Sequence, residues 1–192
     1  MFTGLDIGIC ELVLFGIISF GIKFTHKQLR SIDNLAYYWA MLTILTGIWE
    51  ISFISNYKYT NELSTELIQN NTHIWTEKYD ILYLLPWKLS HIFYAEYGAY
   101  ADREYMTLID DWSRIIEGTH AIFCGIFSLL AIIYKLRNMN TSYKLSLMIA
   151  MGAQLMNSIL YMGNYFIECN TPESINFDRA EFPTGKYLKS RP

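Results

Sequence analysis

The sequence predicts an all-α fold: a polytopic four-helix bundle in a membrane, with both termini on one side. Three observations carry that expectation. Of 192 residues, 52% are apolar and only 17% charged, whereas a water-soluble domain carries about a quarter charged residues. Nearly all of the charge lies in connecting segments, leaving long stretches with none. The connecting segments also differ in sign, and short basic loops stay on the cytoplasmic or matrix side of a membrane.

The elements follow from length and charge. A spanning helix needs roughly 20 mostly apolar residues, and the segments 5–24, 35–54, 115–134 and 145–167 qualify. A fifth apolar stretch, 81–101, contains Pro86, Lys88, His91 and Glu96. It reads as an aromatic segment along the membrane surface, where Trp87, Tyr94, Tyr97 and Tyr100 suit a half-wet interface. The link between the first two spans carries Lys23, Lys27 and Arg30 against Asp33; the link between the last two carries Lys135, Arg137 and Lys144 with no acid. The segment 57–114 has five bases against nine acids. That pattern puts both termini and the long segment opposite the two basic links. The organisation expected is therefore a membrane domain over 1–167, with a partly helical interfacial insertion at 57–114, and a polar tail over 168–192. Residues 61–71 read as a polar loop with a short helix, and Glu62, Glu66 and Glu77 as ordinary solvated charge.

Several functional classes are excluded or disfavoured. A formal charge of −3 provides no basic face for nucleic acid. Three widely spaced cysteines make no disulfide framework, and no removable signal is expected at the start. Nothing resembles a phosphate loop, a Ser-His-Asp arrangement or paired cysteines for zinc. Glu117 and His120 share a helical face at i, i+3, but a di-metal bundle needs two Glu-x-x-His units and two further Glu. No metal and no cofactor is expected, and a satisfied polar side chain is the simplest reading of His120.

Carboxylates inside the spans are the candidate chemistry. The uncharged run 12–22 is 11 residues, about 16 Å as helix, too short for a core of about 30 Å; Glu11 therefore lies within the apolar layer. Glu50 follows 16 uncharged residues and falls inside by the same argument, and Glu117 opens the third span. With the expected directions of the helices, Glu11, Glu50 and Glu117 occupy one layer, and the fourth helix brings Asn157 and Asn164 to the same half. Ionisable residues within spans face a bundle interior or wet cavity and point to function by default. Each could instead reach interfacial water or sit protonated against a neighbouring helix.

The run Glu96-Tyr97-Gly98-Ala99-Tyr100-Ala101-Asp102-Arg103-Glu104-Tyr105, then Asp110, Glu117-Gly118-Thr119-His120-Ala121, Gly152-Ala153-Gln154 and Leu160-Tyr161 resembles the emopamil-binding protein family, membrane sterol Δ8–Δ7 isomerases and their relatives. The resemblance covers roughly residues 35–165. It implies an acid–base shuttle in an apolar cavity, with a double bond protonated on one carbon and a proton lost from another. Glu50 matches the family's helix-two Glu and Glu117 its helix-three acid. Thr46 occupies the position of the family's His, and the family's fifth helix has no counterpart here. Thr46 exchanges no proton near neutral pH, which leaves Glu50 and Glu117 as vestigial candidates and His120 as a possible substitute. The lipid-cavity candidates are Glu11, Glu50, Glu117 and Asn157.

The expected function is a non-catalytic accessory subunit of a larger membrane complex, with other membrane subunits and lipids as partners. A respiratory or energy-converting complex of the mitochondrial inner membrane is the favoured setting and the endoplasmic reticulum the alternative. The competing readings are a surviving sterol isomerase or sterol-binding protein, and a free-standing lipid receptor.

Overall fold

The computed structural model describes residues 1–101 and 111–169; the side chains at 111–115, 117, 161 and 164–169 are outside that description. The chain is mostly helical. A two-residue strand β1 (Phe2–Thr3) leads into α1 (Gly4–Thr25), followed by the short α2 (Lys27–Arg30), then α3 (Asn34–Ser55) and α4 (Tyr57–Asn70). A second short strand β2 (Lys78–Tyr79) and a 3-10 turn (Ile81–Leu84) precede α5 (Pro86–Tyr100), and the long helices α6 (Asp111–Leu136) and α7 (Asn140–Cys169) complete the described chain.

Among the described residues, α1, α3 and the stretch Gly118–Leu136 of α6 are long and apolar enough to cross a membrane. The fourth expected span falls within α7, whose side chains at Tyr161 and from Asn164 onward lie outside the described set. The distribution of polarity agrees with a lipid surround. Leu12, Ile17, Phe20, Ile126, Leu129 and Leu155 point outward, while Glu11, Glu50, Ser19 and Ser128 are buried. A soluble domain does not expose apolar surface along every long helix.

Each helix boundary has a local cause. At the start of α1, the Thr3 hydroxyl accepts from the Asp6 amide at 3.1 Å and Asp6 Oδ2 accepts from the Thr3 amide at 3.0 Å, a reciprocal cap. Asp33 caps α3 by accepting from the Ala36 amide. Asn71 ends α4 in the left-handed region at φ 51°, a conformation asparagine tolerates. Pro86 opens α5, where its missing N–H costs nothing.

Two clusters hold the helices together, one at each end. At the first, Leu29 and Ile32 of the α1–α3 link pack with Tyr37 and Met41 of α3, Ile132 and Leu136 of α6, and Tyr143 and Leu147 of α7. The two basic links therefore share one end of the molecule. At the other end, Ile7 of α1 packs with Leu67 of α4, Ile74, and Leu89, Ile92 and Ala95 of α5. There the Gly4 amide donates to the carbonyls of Ile74 and Glu77, and β1 pairs antiparallel with β2, Phe2 opposite Tyr79.

Midway, α3 and α6 meet backbone to backbone. A Cβ added at Gly47 would stand 3.3 Å from Gly125 Cα, and one at Gly125 3.2 Å from both Gly47 Cα and the Thr43 carbonyl oxygen. Small residues let helices approach closely in this way.

The segment expected as a polar loop with a short helix, 61–71, is helical as far as Asn70. Thr60, Ser64 and Leu67 are buried along one side of α4, at the spacing of a single helical face, and α5 covers that side. The aromatics of α5 divide rather than all facing an interface. Trp87 and Tyr97 are exposed, whereas Tyr94 stacks on Phe53 at 4.5 Å and the Tyr100 hydroxyl donates to the carbonyls of Leu67 and Thr72. Those hydroxyls turn inward because buried acceptors await them.

Candidate functional site

A cavity of about 570 Å³ opens between α3, the 71–77 loop and α5, walled by Thr46, Trp49, Trp75, Phe93, Tyr94 and Tyr100, with Glu96 and Tyr97 also at its lining. That volume lies in the range of small-molecule sites, which are mostly apolar with a few polar groups.

Two of the sequence's candidate carboxylates stand behind this wall rather than in it. Glu11, buried on α1, accepts from the indole N–H of Trp49 at 3.2 Å, while its Oε2 is buried and meets no hydrogen-bond partner among the described residues. Glu50, the next residue after Trp49, accepts a hydrogen bond from the Tyr94 hydroxyl. Burial, and then the Glu50 carboxylate, pushes the Tyr94 phenol well above its ordinary value; the hydroxyl stays protonated and donates. Each carboxylate thus fixes the rotamer of one aromatic side chain that lines the cavity.

Glu117 lies on α6, its side chain outside the described residues. The backbone beside it comes close to Glu50: a Cβ on Gly118 would stand 3.4 Å from Glu50 Oε1 and overlap the Ile54 side chain. Glu50 and the start of α6 are therefore brought together, while Glu11 is joined to Trp49, the residue before Glu50. Asn157 is half-buried on α7. His120 is not at the cavity: its Nε2 lies 3.2 Å from Gln154 Oε1 and 3.5 Å from Cys124 Sγ, and the thiol donates to the Ala150 carbonyl. It ties α6 to α7. Thr46 does line the cavity, and its hydroxyl donates to the Thr43 carbonyl one turn back at 3.0 Å.

Sequence reasoning missed Glu96 as a structural centre. Its Oε1 lies 2.6 Å from His73 Nδ1 and its Oε2 accepts from the Ile74 amide at 3.0 Å, so one carboxylate pins the 71–77 loop to α5. Two signals were absent from the sequence: the partner is 23 residues away, and the loop has no motif. The second missed centre is Ser52, whose hydroxyl donates to the Trp87 carbonyl at 2.6 Å with His91 Nε2 3.0 Å from the same oxygen. Since that hydroxyl proton is committed to Trp87, His91 is the donor to Ser52. Burial and the neighbouring Lys88 hold the His91 imidazole below its ordinary value, favouring the neutral Nε2–H tautomer for this bond. Asp102, Arg103, Glu104, Tyr105 and Asp110, which carry part of the family resemblance, lie outside the described residues.

Among the described residues, no three His, Cys, Asp or Glu side chains converge as metal ligands would. The fold and site define a class: a helical protein of membrane-spanning composition with an aromatic cavity braced by buried carboxylates. No protein-family model, curated protein or solved structure matches the chain.

Proposed function

We propose that the chain is a non-catalytic, emopamil-binding-protein-like membrane protein that serves as an accessory subunit of a larger membrane complex. The observation that supports this most directly is at the cavity wall. Where the family carries a proton-exchanging His, Thr46 stands with its hydroxyl bonded inside its own helix, and Glu50 is engaged by Tyr94. A proton shuttle needs an acid and a base in contact reach of the reacting carbons. Here the acids brace aromatic side chains instead. The expected result is that the chain fails to restore Δ8–Δ7 isomerisation in an isomerase-deficient cell. Growth on that complementation would sink the reading; Glu117→Gln would then be expected to abolish it.

The cavity favours a second reading, a sterol- or lipid-binding protein. A wall of two Trp, one Phe and several Tyr suits a rigid apolar ligand held by contact area rather than by charge. The two readings part on what co-purifies in mild detergent: other membrane subunits for the first, a stoichiometric neutral lipid alone for the second.

The proposed arrangement has four spans, α7 being the fourth, with both termini and the 57–114 segment opposite the two basic links. Cysteines placed at positions 27 and 65 are expected to label from opposite sides of the membrane. Labelling of both by one impermeant reagent added to one side overturns the topology.

The proposed compartment is the mitochondrial inner membrane, with the endoplasmic reticulum as alternative. Asn70-Asn71-Thr72 is a glycosylation acceptor, and Asn70 is exposed at the end of α4. In the endoplasmic reticulum that side is the lumen. The native chain is expected to migrate without an endoglycosidase-sensitive shift. A shift lost in Asn70→Gln contradicts the mitochondrial assignment.

A further inference from the structure

The two links that join the spans carry the strongest unneutralised charge in the described structure, and they meet. Lys27 and Arg30 are the two ends of α2, and Arg137 and Lys144 flank the α6–α7 turn; all four are exposed. The shared cluster of Leu29, Ile32, Leu136 and Tyr143 holds the links against each other. Asp33, the acid of these links, is committed to the cap of α3, and among the described residues none of the four cations has a carboxylate partner.

The other two basic residues there have structural roles. Lys23 is buried, with Nζ donating to the Ile32 carbonyl at 2.9 Å and to Asn34 Oδ1 at 2.6 Å. It also lies 5.0 Å from the Tyr37 ring. Its bonds fix the course of the first link and so the position of Lys27 and Arg30. Lys135 donates to Asn140 Oδ1 and sits over the Tyr143 ring, which sets the second link in the same way. Four exposed cations thus stand on two links whose courses these bonds help to set.

Beside them the surface changes abruptly. Phe20, Phe24 and Leu35 on one flank and Met139 and Leu145 on the other are exposed apolar side chains. Cations for an anion, bordered by apolar side chains for hydrocarbon, fit an amphiphile. We propose that the basic end binds the phosphate headgroup of an anionic phospholipid, with its acyl chains along α1 and α3. Basic pockets between spans on the matrix or cytoplasmic side recognise such headgroups, and each Lys or Arg near the surface adds to the attraction. The apolar border is what commits the site to a lipid and not to a free anion. The inference is independent of any activity at the aromatic cavity, which lies toward the other end of α3.

The test is native mass spectrometry of the full chain in mild detergent with added lipid. Wild-type protein is expected to retain a tetra-acyl diphosphate lipid or phosphatidylglycerol at least about tenfold over phosphatidylcholine. The quadruple variant K27Q/R30Q/R137Q/K144Q is expected to fall to within about twofold. The four side chains are exposed, so folding is checked by unchanged thermal unfolding. The control K58Q/K78Q, which removes two cations from the opposite end, is expected to keep the full preference. Equal retention of anionic and zwitterionic lipid by the wild type overturns the proposal, as does a preference that survives the quadruple variant or is lost in the control. Displacement of the anionic lipid by millimolar inorganic phosphate also overturns it, because the site would then be one for a free anion.

Discussion

Gly47→Leu is expected to destabilise the chain by about 3 kcal/mol, lowering the unfolding midpoint in detergent by about 10 °C. The cause is backbone contact. At this crossing each glycine's missing Cβ leaves room for the other helix's Cα, with gaps of 3.2–3.3 Å to the atoms a Cβ would face, and neither backbone can turn aside as a side chain would. A leucine pushes α3 and α6 apart along a contact that also holds Gly118 against Glu50. Gly125→Leu is expected to cost about the same, and the double variant much less than the sum, because the first substitution already opens the gap. Gly16→Leu is the control, since nothing stands within 4 Å of its added Cβ; it is expected to be neutral. A Gly47→Leu protein that unfolds at the wild-type temperature would place the helix crossing elsewhere.

Glu96→Ala is expected to be the most damaging change on α5, at about 2–3 kcal/mol. The carboxylate is 7% exposed and holds two donors, His73 and the amide of Ile74. Removing it leaves the Ile74 N–H buried beside a side chain that is itself fully buried. An unmet buried donor costs more than the bond it once made is worth. His73 is half-exposed and finds water, so its share is small. Glu96→Gln keeps an acceptor for Ile74 and is expected to lose about half as much. The local readout is proteolysis: cleavage within 71–77 is expected to rise in Glu96→Ala before global unfolding. Falsification is simple, since an alanine variant with wild-type protease resistance means that the carboxylate does not hold the loop.

The long helices were legible because hydropathy over about 20 residues is a signal that needs no partner. The observed α1 and α3 begin and end within one residue of the segments 5–24 and 35–54 read from sequence. Glu11 and Glu50 are both buried, and their place inside apolar helices was also legible by counting along the chain. What each carboxylate does was not. The sequence allowed a proton-active cavity, but the observed bonds run to Trp49 and Tyr94, pairings across tens of residues that no local pattern encodes. The helix α4 was half-seen for a different reason. Its polarity masked a face of small and apolar residues, Thr60, Ser64 and Leu67, whose spacing was present in the sequence but too thin in hydrocarbon to stand out. The inward turn of Tyr94 and Tyr100 had no sequence signal, because an amphipathic ring suits a wet surface and a buried acceptor equally well.

The bracing of the two carboxylates sets an order on biogenesis. Glu11 is synthesised 38 residues before Trp49, and Glu50 44 residues before Tyr94. A carboxylate that reached hydrocarbon between those moments would do so with its native donor still unmade, a costly condition for any span. At a synthesis rate of about 5–20 residues per second, each interval lasts seconds, long compared with helix formation. During that time a carboxylate must stay protonated, remain near the headgroups or be shielded by the insertion machinery. Docking of α5 is therefore the event that supplies the native donor of Glu50. A ribosome-arrested chain ending before Tyr94 would still carry Glu50 without its native donor.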